Sequence, residues 1–406
     1  MGFFNKYLGF VCIISLGSFL CGQAIGYYSP VGTPFQVEMQ ISSELSNWFN
    51  TLHSLCAILG GPINQLLIPK IGCKKMTFST SVVCGVAWVL LSITKRSFYW
   101  LGFVARCILG LCTGSFSGVC SMYIVEISPD EYRGAYGVVH QLMITIGIAW
   151  AYLLGIFCTW RLLTYLCIIF PCILCVLIWF VPESPRSNLN EDNDVEKESL
   201  FQKKFVYAIV SSICLIVFQQ FSGINPILTN LQPIFTASGI DLEPSICSFI
   251  TGIAQVISTC VASFFVQKLG RRPSWIVSAI GQAVGLYLMW AQETWKISPY
   301  LALVSLFIDV FCFGLAYGPI PWLIVPELFP DSVRTLAVSL GTALNWLMSS
   351  ITIYIWPPMS TSMGSWGFFF FGAICTISVV YGFVFMPETK GKEIGEIEEK
   401  NTDDEV

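Results

Sequence analysis

Apolar runs of about 20 residues recur along the whole chain, separated by short polar stretches. Twelve of them stand at residues 8–28, 47–68, 76–94, 98–124, 135–157, 161–181, 205–235, 245–266, 273–292, 299–324, 335–357 and 365–386. Coiled as α-helices, each is long enough to cross a hydrocarbon layer roughly 30 Å thick. The pattern predicts an all-α membrane protein of twelve transmembrane helices, with a short loop to about Ser46 between the first two. One run breaks the rule. In the middle of the seventh lies Gln219-Gln220-Phe221-Ser222-Gly223-Ile224-Asn225-Pro226, where amides, a glycine and a proline interrupt the apolar sequence. Polar groups at that depth need partners, and uncharged amides suit a neutral, hydroxyl-rich solute as well as they suit another helix.

Composition agrees with a membrane setting. Hydrophobic residues make up 55% and charged residues only 11%, against about 25% in soluble domains; mean hydropathy is +0.70. The 21 Lys and Arg carry the orientation. With both termini on one side, all but Lys95, Arg96, Lys296, Arg161 and the intramembrane Arg106 fall on that side, which the positive-inside rule makes cytoplasmic. A plasma-membrane location is expected. The 17 cysteines lie mostly inside apolar runs, as at Cys12, Cys107, Cys172 and Cys312, and read as small hydrophobes rather than a disulfide framework.

The chain repeats itself. Ile124-Val125-Glu126, Pro129-Asp130 and Arg133 return as Ile324-Val325, Glu327, Pro330-Asp331 and Arg334. Lys70–Lys75 is echoed by Lys268-Leu269-Gly270-Arg271-Arg272, and Pro182-Glu183-Ser184-Pro185-Arg186 by Pro387-Glu388-Thr389-Lys390-Gly391. Three paired motifs in the same order divide the chain into a six-helix half at 1–186, a short polar linker at 187–203, a second six-helix half at 204–390 and an acidic tail at 391–406. Parallel halves of this kind place a solute site at their interface near the bilayer midplane and rock around it. The Glu126–Arg133 and Glu327–Arg334 repeats, with Arg271 and Arg272, then form a candidate gate network, or simply anchor the helices at the membrane surface. Arg106 joins this list as an intramembrane cation that needs a carboxylate or carbonyl partner.

Enzyme chemistry has little to stand on. His53 and His140 are the only histidines, and no metalloprotease, hydrolase or phosphate-loop motif is present. No cofactor, catalytic residue, metal site or nucleic-acid partner is expected.

Taken together, Gln219–Asn225, Gly318-Pro319-Ile320-Pro321-Trp322, Pro182–Arg186, Pro387–Gly391, Glu126 with Arg133-Gly134, and Gln141-Leu142 resemble the sugar porters of the major facilitator superfamily, including the facilitative glucose transporters. The resemblance implies sugar-hydroxyl ligands at Gln141, Gln219, Gln220, Asn225 and Asn345, a weaker one at Gln255, and an apolar sugar platform and gate element at Trp322. It implies facilitated transport of a hexose such as glucose by a monomer in a lipid bilayer. Four departures qualify it. Thr229 and Asn230 replace the family's two aromatics after the helix-seven motif, and Gly314 stands where glucose carriers often have a glutamate. Cys73 and Gln267 replace a customary arginine and acid, and Ala24 replaces the aspartate typical of proton-coupled members. The last favours uniport, with Asp309 as the counter-candidate for proton coupling; a symporter of a sugar or polyol such as inositol or trehalose, and a non-transporting sugar sensor, remain open.

Overall fold

The structure, a computed structural model, describes residues 6–129, 133–184 and 199–390, so Arg186, the tail and most of the expected linker lie outside the described residues. Its α-helices are α1 (Lys6–Gly26), α2 (Tyr28–Met39), α3 (Ser43–Ala57), α4 (Gly60–Ser92), α5 (Trp100–Ile127) and α6 (Arg133–Phe157), then α7 (Trp160–Cys167), α8 (Ile169–Leu177), α9 (Val206–Phe221), α10 (Ile224–Thr229), α11 (Leu231–Ser238) and α12 (Pro244–Leu269). They continue as α13 (Arg271–Trp295), α14 (Pro299–Cys312), α15 (Pro319–Leu328), α16 (Asp331–Met363) and α17 (Trp366–Val384). Among the described residues, 11 apolar helical stretches are long enough to cross a membrane. One of them, Ser43–Ser92, has 50 residues, more than twice the length a bilayer needs. It turns back at Gly72, whose φ of 82° is open to glycine at no steric cost, and so supplies two spans. Twelve spans result.

The expected loop after the first span is instead the helix α2. Its Tyr28, Val31, Phe35 and Met39 recur at helical spacing and are buried. Phe35 stacks on Phe49 at 4.3 Å and meets Trp160 edge-on at 5.4 Å, which holds the extension against the bundle. Nearby, Arg161 donates to Glu38 at 2.6 and 3.0 Å and to the carbonyl of Thr94, while the Trp160 indole donates to the other Glu38 oxygen at 2.6 Å. This clasp joins α2, α4 and α7 on the face opposite the basic residues, here called the distal face.

Helix contacts run through glycines. A Cβ on Gly110 would lie 2.0 Å from the His53 carbonyl oxygen, and one on Gly114 would lie 1.9 Å from that of Ala57, so α3 and α5 touch backbone to backbone. Gly22 and Gly147 do the same for α1 and α6. The buried apolar residues form two clusters: Val11 to Val181 in one, and Leu200 to Met386, joined by Ile148 and Tyr152 of α6, in the other. Outward positions such as Val86, Val176, Phe264 and Phe383 are apolar and exposed, as lipid contact demands.

The repeated motifs converge on the basic face as one physical device, used twice. After the Gly72 turn the Glu183 carboxylate accepts from the Lys74 backbone N–H at 3.1 Å. After Gly270, with φ of 99°, Glu388 accepts from the N–H groups of Arg271 and Arg272 at 3.0 Å each. An anion on the orphan N–H groups of a helix start satisfies them and complements the helix dipole. In the second half Glu327 also accepts from Arg271 at 2.9 Å and from Thr389 at 2.5 Å. In the first half Ser184 donates to Glu126, and Cys73 occupies the position of Arg271.

Two outcomes follow. Gly114→Val is expected to lower the thermal unfolding midpoint, since overpacking costs about 1–3 kcal/mol or more, whereas Gly137→Ala, with nothing within 4 Å of the new carbon, should leave it unchanged or raised. For Glu38, partial burial raises the carboxyl pKa, but the hydrogen bonds from Arg161 and Trp160 outweigh it and hold the group below its ordinary range. The clasp therefore contributes above the unfolded carboxylate value, about 4.3, and its contribution is lost as pH falls through the lowered folded value. Arg161→Ala should thus lower the midpoint at pH 7 by an amount that shrinks towards pH 3; a pH-independent difference would count against the ion pair.

Candidate functional site

The site is built where the spanning helices break. The α9 helix stops at Phe221, and Gly223, with φ of 83°, admits the ring of Phe371 so closely that a Cβ would lie 2.3 Å from it. The chain then restarts as α10. The tenth span breaks too: α14 passes into a π-helical turn, Phe313–Tyr317, before α15. Pro321 has no N–H, so the Tyr317 carbonyl four residues earlier loses its helical donor. Gln219 supplies one. Its amide nitrogen donates to the carbonyl oxygens of Gly318 at 2.6 Å and Tyr317 at 3.4 Å. Its amide oxygen accepts from Asn345 of α16 at 2.7 Å. Gln219, at the broken seventh span, thereby connects the tenth and eleventh.

A second row lies beside it. Asn225 donates to the Gln220 amide oxygen at 2.5 Å and to the Ser349 hydroxyl at 2.9 Å. Gln219, Gln220 and Asn345 are buried, and Asn225 is partly so. No charged side chain enters these bonds. The cluster offers amide and hydroxyl groups alone, and a ligand hydroxyl can exchange for any of its internal partners at little net cost. Ser349 was not singled out from the sequence, although it follows Asn345 by one helical turn and so shares its face.

The remaining expected ligands are placed differently. Gln141 on α6 and Trp322 on α15 are half-buried, and no hydrogen bond joins either to the amide cluster. Gln255 on α12 is buried with its amide oxygen unpartnered, while its backbone carbonyl accepts from Ser258 and Thr259. Gly314 explains its own departure from the glucose-carrier pattern. A Cβ there would lie 2.1 Å from the Ser258 hydroxyl and 3.1 Å from the Gln255 carbonyl, so α12 fills the space a side chain would take.

Arg106 stands apart from the charged candidates on the basic face. Arg106 lies roughly 30 Å along α5 from Glu126, given 1.5 Å per residue. It is buried and donates to the carbonyl oxygens of Ala24 at 3.0 Å and Phe49 at 3.2 Å, with the rings of Phe49 and Tyr27 at 5.4 and 6.0 Å. Arg272 caps α17 through the carbonyls of Gly382 and Phe383, and Arg334 caps α15 through those of Pro326 and Phe329. Arg271 and Glu327 form an ion pair at 2.9 Å. The Arg133 side chain lies outside the described residues. Asp309 is buried with both carboxylate oxygens unpartnered, and it packs against Gly285 of α13, on the supporting side of the tenth span.

The halves are tied at mid-membrane and on the distal face. Trp346 donates to Ser117 at 3.3 Å, and its ring meets that of His53 edge-on at 6.3 Å. Towards the distal face, Tyr152 donates to the Leu228 carbonyl at 2.7 Å, Asn47 to that of Tyr354 at 3.2 Å, and the Gln232 N–H to Ser29 at 3.4 Å. These bonds draw the halves together on the distal side.

The family model described as "Sugar (and other) transporter" matches residues 10–204 and again 187–400, one match for each half. The chain belongs to this family of sugar transporters. Its relatives include the facilitated trehalose transporter Tret1 of Bombyx mori, 29% identical over 96% of this chain and 85% of that protein. Sugar transporter ERD6-like 6 of Arabidopsis thaliana is 30% identical over 96% and 89%. Among solved structures, the inward-open xylose transporter XylE from E. coli superposes with a TM-score of 0.82 at 21% identity, covering 96% of this chain and 98% of that one. That likeness is one of fold, the twelve-helix major facilitator architecture. Transporters of this family are not enzymes.

In this sugar transporter the glycine at 314 has a measurable role. Gly314→Ala is expected to lower the unfolding midpoint by loosening α12 from the π-turn, at about 1–3 kcal/mol. Adding Ser258→Ala, which removes the nearest atom, should restore part of the loss; strictly additive losses would show that the contact is not the cause.

Proposed function

We propose that the chain is a uniporter that carries a neutral sugar, a hexose such as glucose, down its gradient by alternating access. One observation carries the reading. The uncharged junction of Gln219, Asn345 and the Tyr317–Gly318 carbonyls links three broken or adjoining spans, so a sugar that exchanges for these bonds changes how the spans hold one another. The ligand's differential affinity for two arrangements is what shifts their balance. Gln220, Asn225 and Ser349 extend the hydroxyl-binding row, and Trp322, half-buried on α15, supplies the apolar face of the path. Gln141 and Gln255 join the row when the halves rock. The Arg271–Glu327 pair and the Glu183 and Glu388 caps stiffen the basic face, which the distribution of Lys and Arg makes the cytoplasmic one. Both halves of the path come from one chain, which supports a monomer.

Uniport rests on Ala24 and Arg106. The arginine is already held by carbonyls and aromatic faces, so no proton need enter or leave beside it. The resemblance to a facilitated trehalose transporter supports the same mode and makes a disaccharide the second substrate to try. Asp309 favours the other reading. A carboxylate with two unpartnered oxygens in a buried layer is costly when charged, and such groups serve as proton sites in coupled carriers.

Uptake of labelled glucose into proteoliposomes, with and without an imposed pH gradient, separates the two. Equilibrating uptake that ignores the gradient, falls at least tenfold in Gln219→Ala and persists in Asp309→Asn is expected. Gradient-driven accumulation that Asp309→Asn abolishes would replace uniport by symport. Folded protein that binds sugar and moves none would establish a sensor instead.

A further inference from the structure

A separate cavity of about 190 Å³ opens on the distal face, at the seam between the halves. One wall comes from the first half, with Tyr28, Thr33 and Gln36 of α2 and Asn47 of α3; the other comes from the second half, with Asn230 after α10 and Pro357 on α16. None of its lining residues is charged. Much of its lining is hydroxyl and amide, the chemistry of the central cluster repeated at a second depth. Its volume is smaller than the roughly 300–1,000 Å³ of sites that enclose drug-sized ligands, and suits a single sugar ring.

Local bonds prepare these groups. The Tyr28 hydroxyl is fixed by Ser46 at 3.0 Å, and the Asn47 and Asn230 amide nitrogens are committed to the carbonyls of Tyr354 and Pro226 at 3.2 and 2.8 Å. Among the described residues no protein donor reaches the amide oxygen of either asparagine, and the Thr33 hydroxyl takes part in no hydrogen bond. Acceptors held in place and left unfilled suit the hydroxyl donors of a polyol. Asn230 lies five residues beyond Asn225, roughly 8 Å along the seventh span.

We propose that this cavity is a second carbohydrate site, taking one ring of a neutral sugar from the distal side and distinct from the amide cluster. It rests on the sugar-transport reading above. Because its walls belong to opposite halves, the site is complete only while the distal side is closed. A sugar that bridges both walls therefore stabilises the closed state, by the reciprocity of binding and conformation, and slows reopening. The consequence is kinetic: high sugar on the distal side restrains its own uptake.

The test uses purified full-length protein titrated with D-glucose, and with trehalose in parallel. Binding is read by tryptophan emission, since Trp48 adjoins Asn47 and its ring lies 4.9 Å from that of Tyr354. Trp48→Phe identifies the signal. Two saturable phases are expected in the wild type. Gln219→Ala should retain only the weaker; Thr33→Phe, which fills the cavity, and Asn230→Leu, which removes an acceptor, should each lose it while keeping the stronger. In proteoliposomes the same two variants should relieve a slowing of uptake of about fivefold at saturating distal sugar. Both phases and the slowing persisting in both variants, or Gln219→Ala losing all binding, would overturn the second site. A wild type that binds neither sugar in any phase would instead overturn the sugar-transport reading, and this site with it.

Discussion

Every backbone N–H and C=O that a break in a spanning helix leaves exposed must find a partner inside the protein, because hydrocarbon offers none. The most informative features of this molecule sit at such breaks. Gly72 and Gly270 end one span and begin the next, and a glutamate from the end of each half closes the exposed N–H groups. Pro321 strips the Tyr317 carbonyl of its donor, and Gln219 reaches across from the seventh span to meet it. Arg272 and Arg334 serve the carbonyl ends of α17 and α15. Polar residues that a hydropathy profile would mark as intrusions are the answer to interruptions elsewhere in the chain.

The same constraint explains how a transport path coexists with a stable bundle. Where nothing has to move, glycines bring helices to backbone contact, as Gly110 and Gly114 do against α3. Two apolar clusters result, the second joined by Ile148 and Tyr152 of α6. Along the proposed path, the partners of broken backbone are neutral amides, whose bonds can exchange for a ligand's hydroxyls without moving charge. Hydrogen bonds at mid-membrane and towards the distal face also join the halves, each weak enough individually to exchange.

Much of this was legible in the sequence, and the limits of legibility are physical. Twelve spans follow from apolar length, since each must cross the same thickness. Gln219, Gln220, Asn225 and Asn345 announce themselves as amides inside apolar runs, and the fold brings them into two adjoining rows. The helix α2 was missed because a polar stretch beyond a span reads as a loop, although its buried positions kept helical spacing. Ser349 was missed because a single serine in a helix most often bonds its own backbone. Arg106 demanded a partner that a sequence cannot name, and the two carbonyls that hold it come from helices distant in the chain.

The sequence by itself determined the membrane class, the number of spans, the twofold repeat and the neutral, amide-based character of the site, because these depend on residue type and spacing along one helix. Only the tertiary structure decided the pairings. It turned three repeated motifs into one capping device, assigned Gln219 to the carbonyls of a π-turn rather than to another side chain, and filled the space beside Gly314 with α12. It also set a polar cavity at the seam of the halves. Each of these depends on which helices come within a few ångströms of one another, and that is fixed by packing across the bundle rather than by periodicity within a helix.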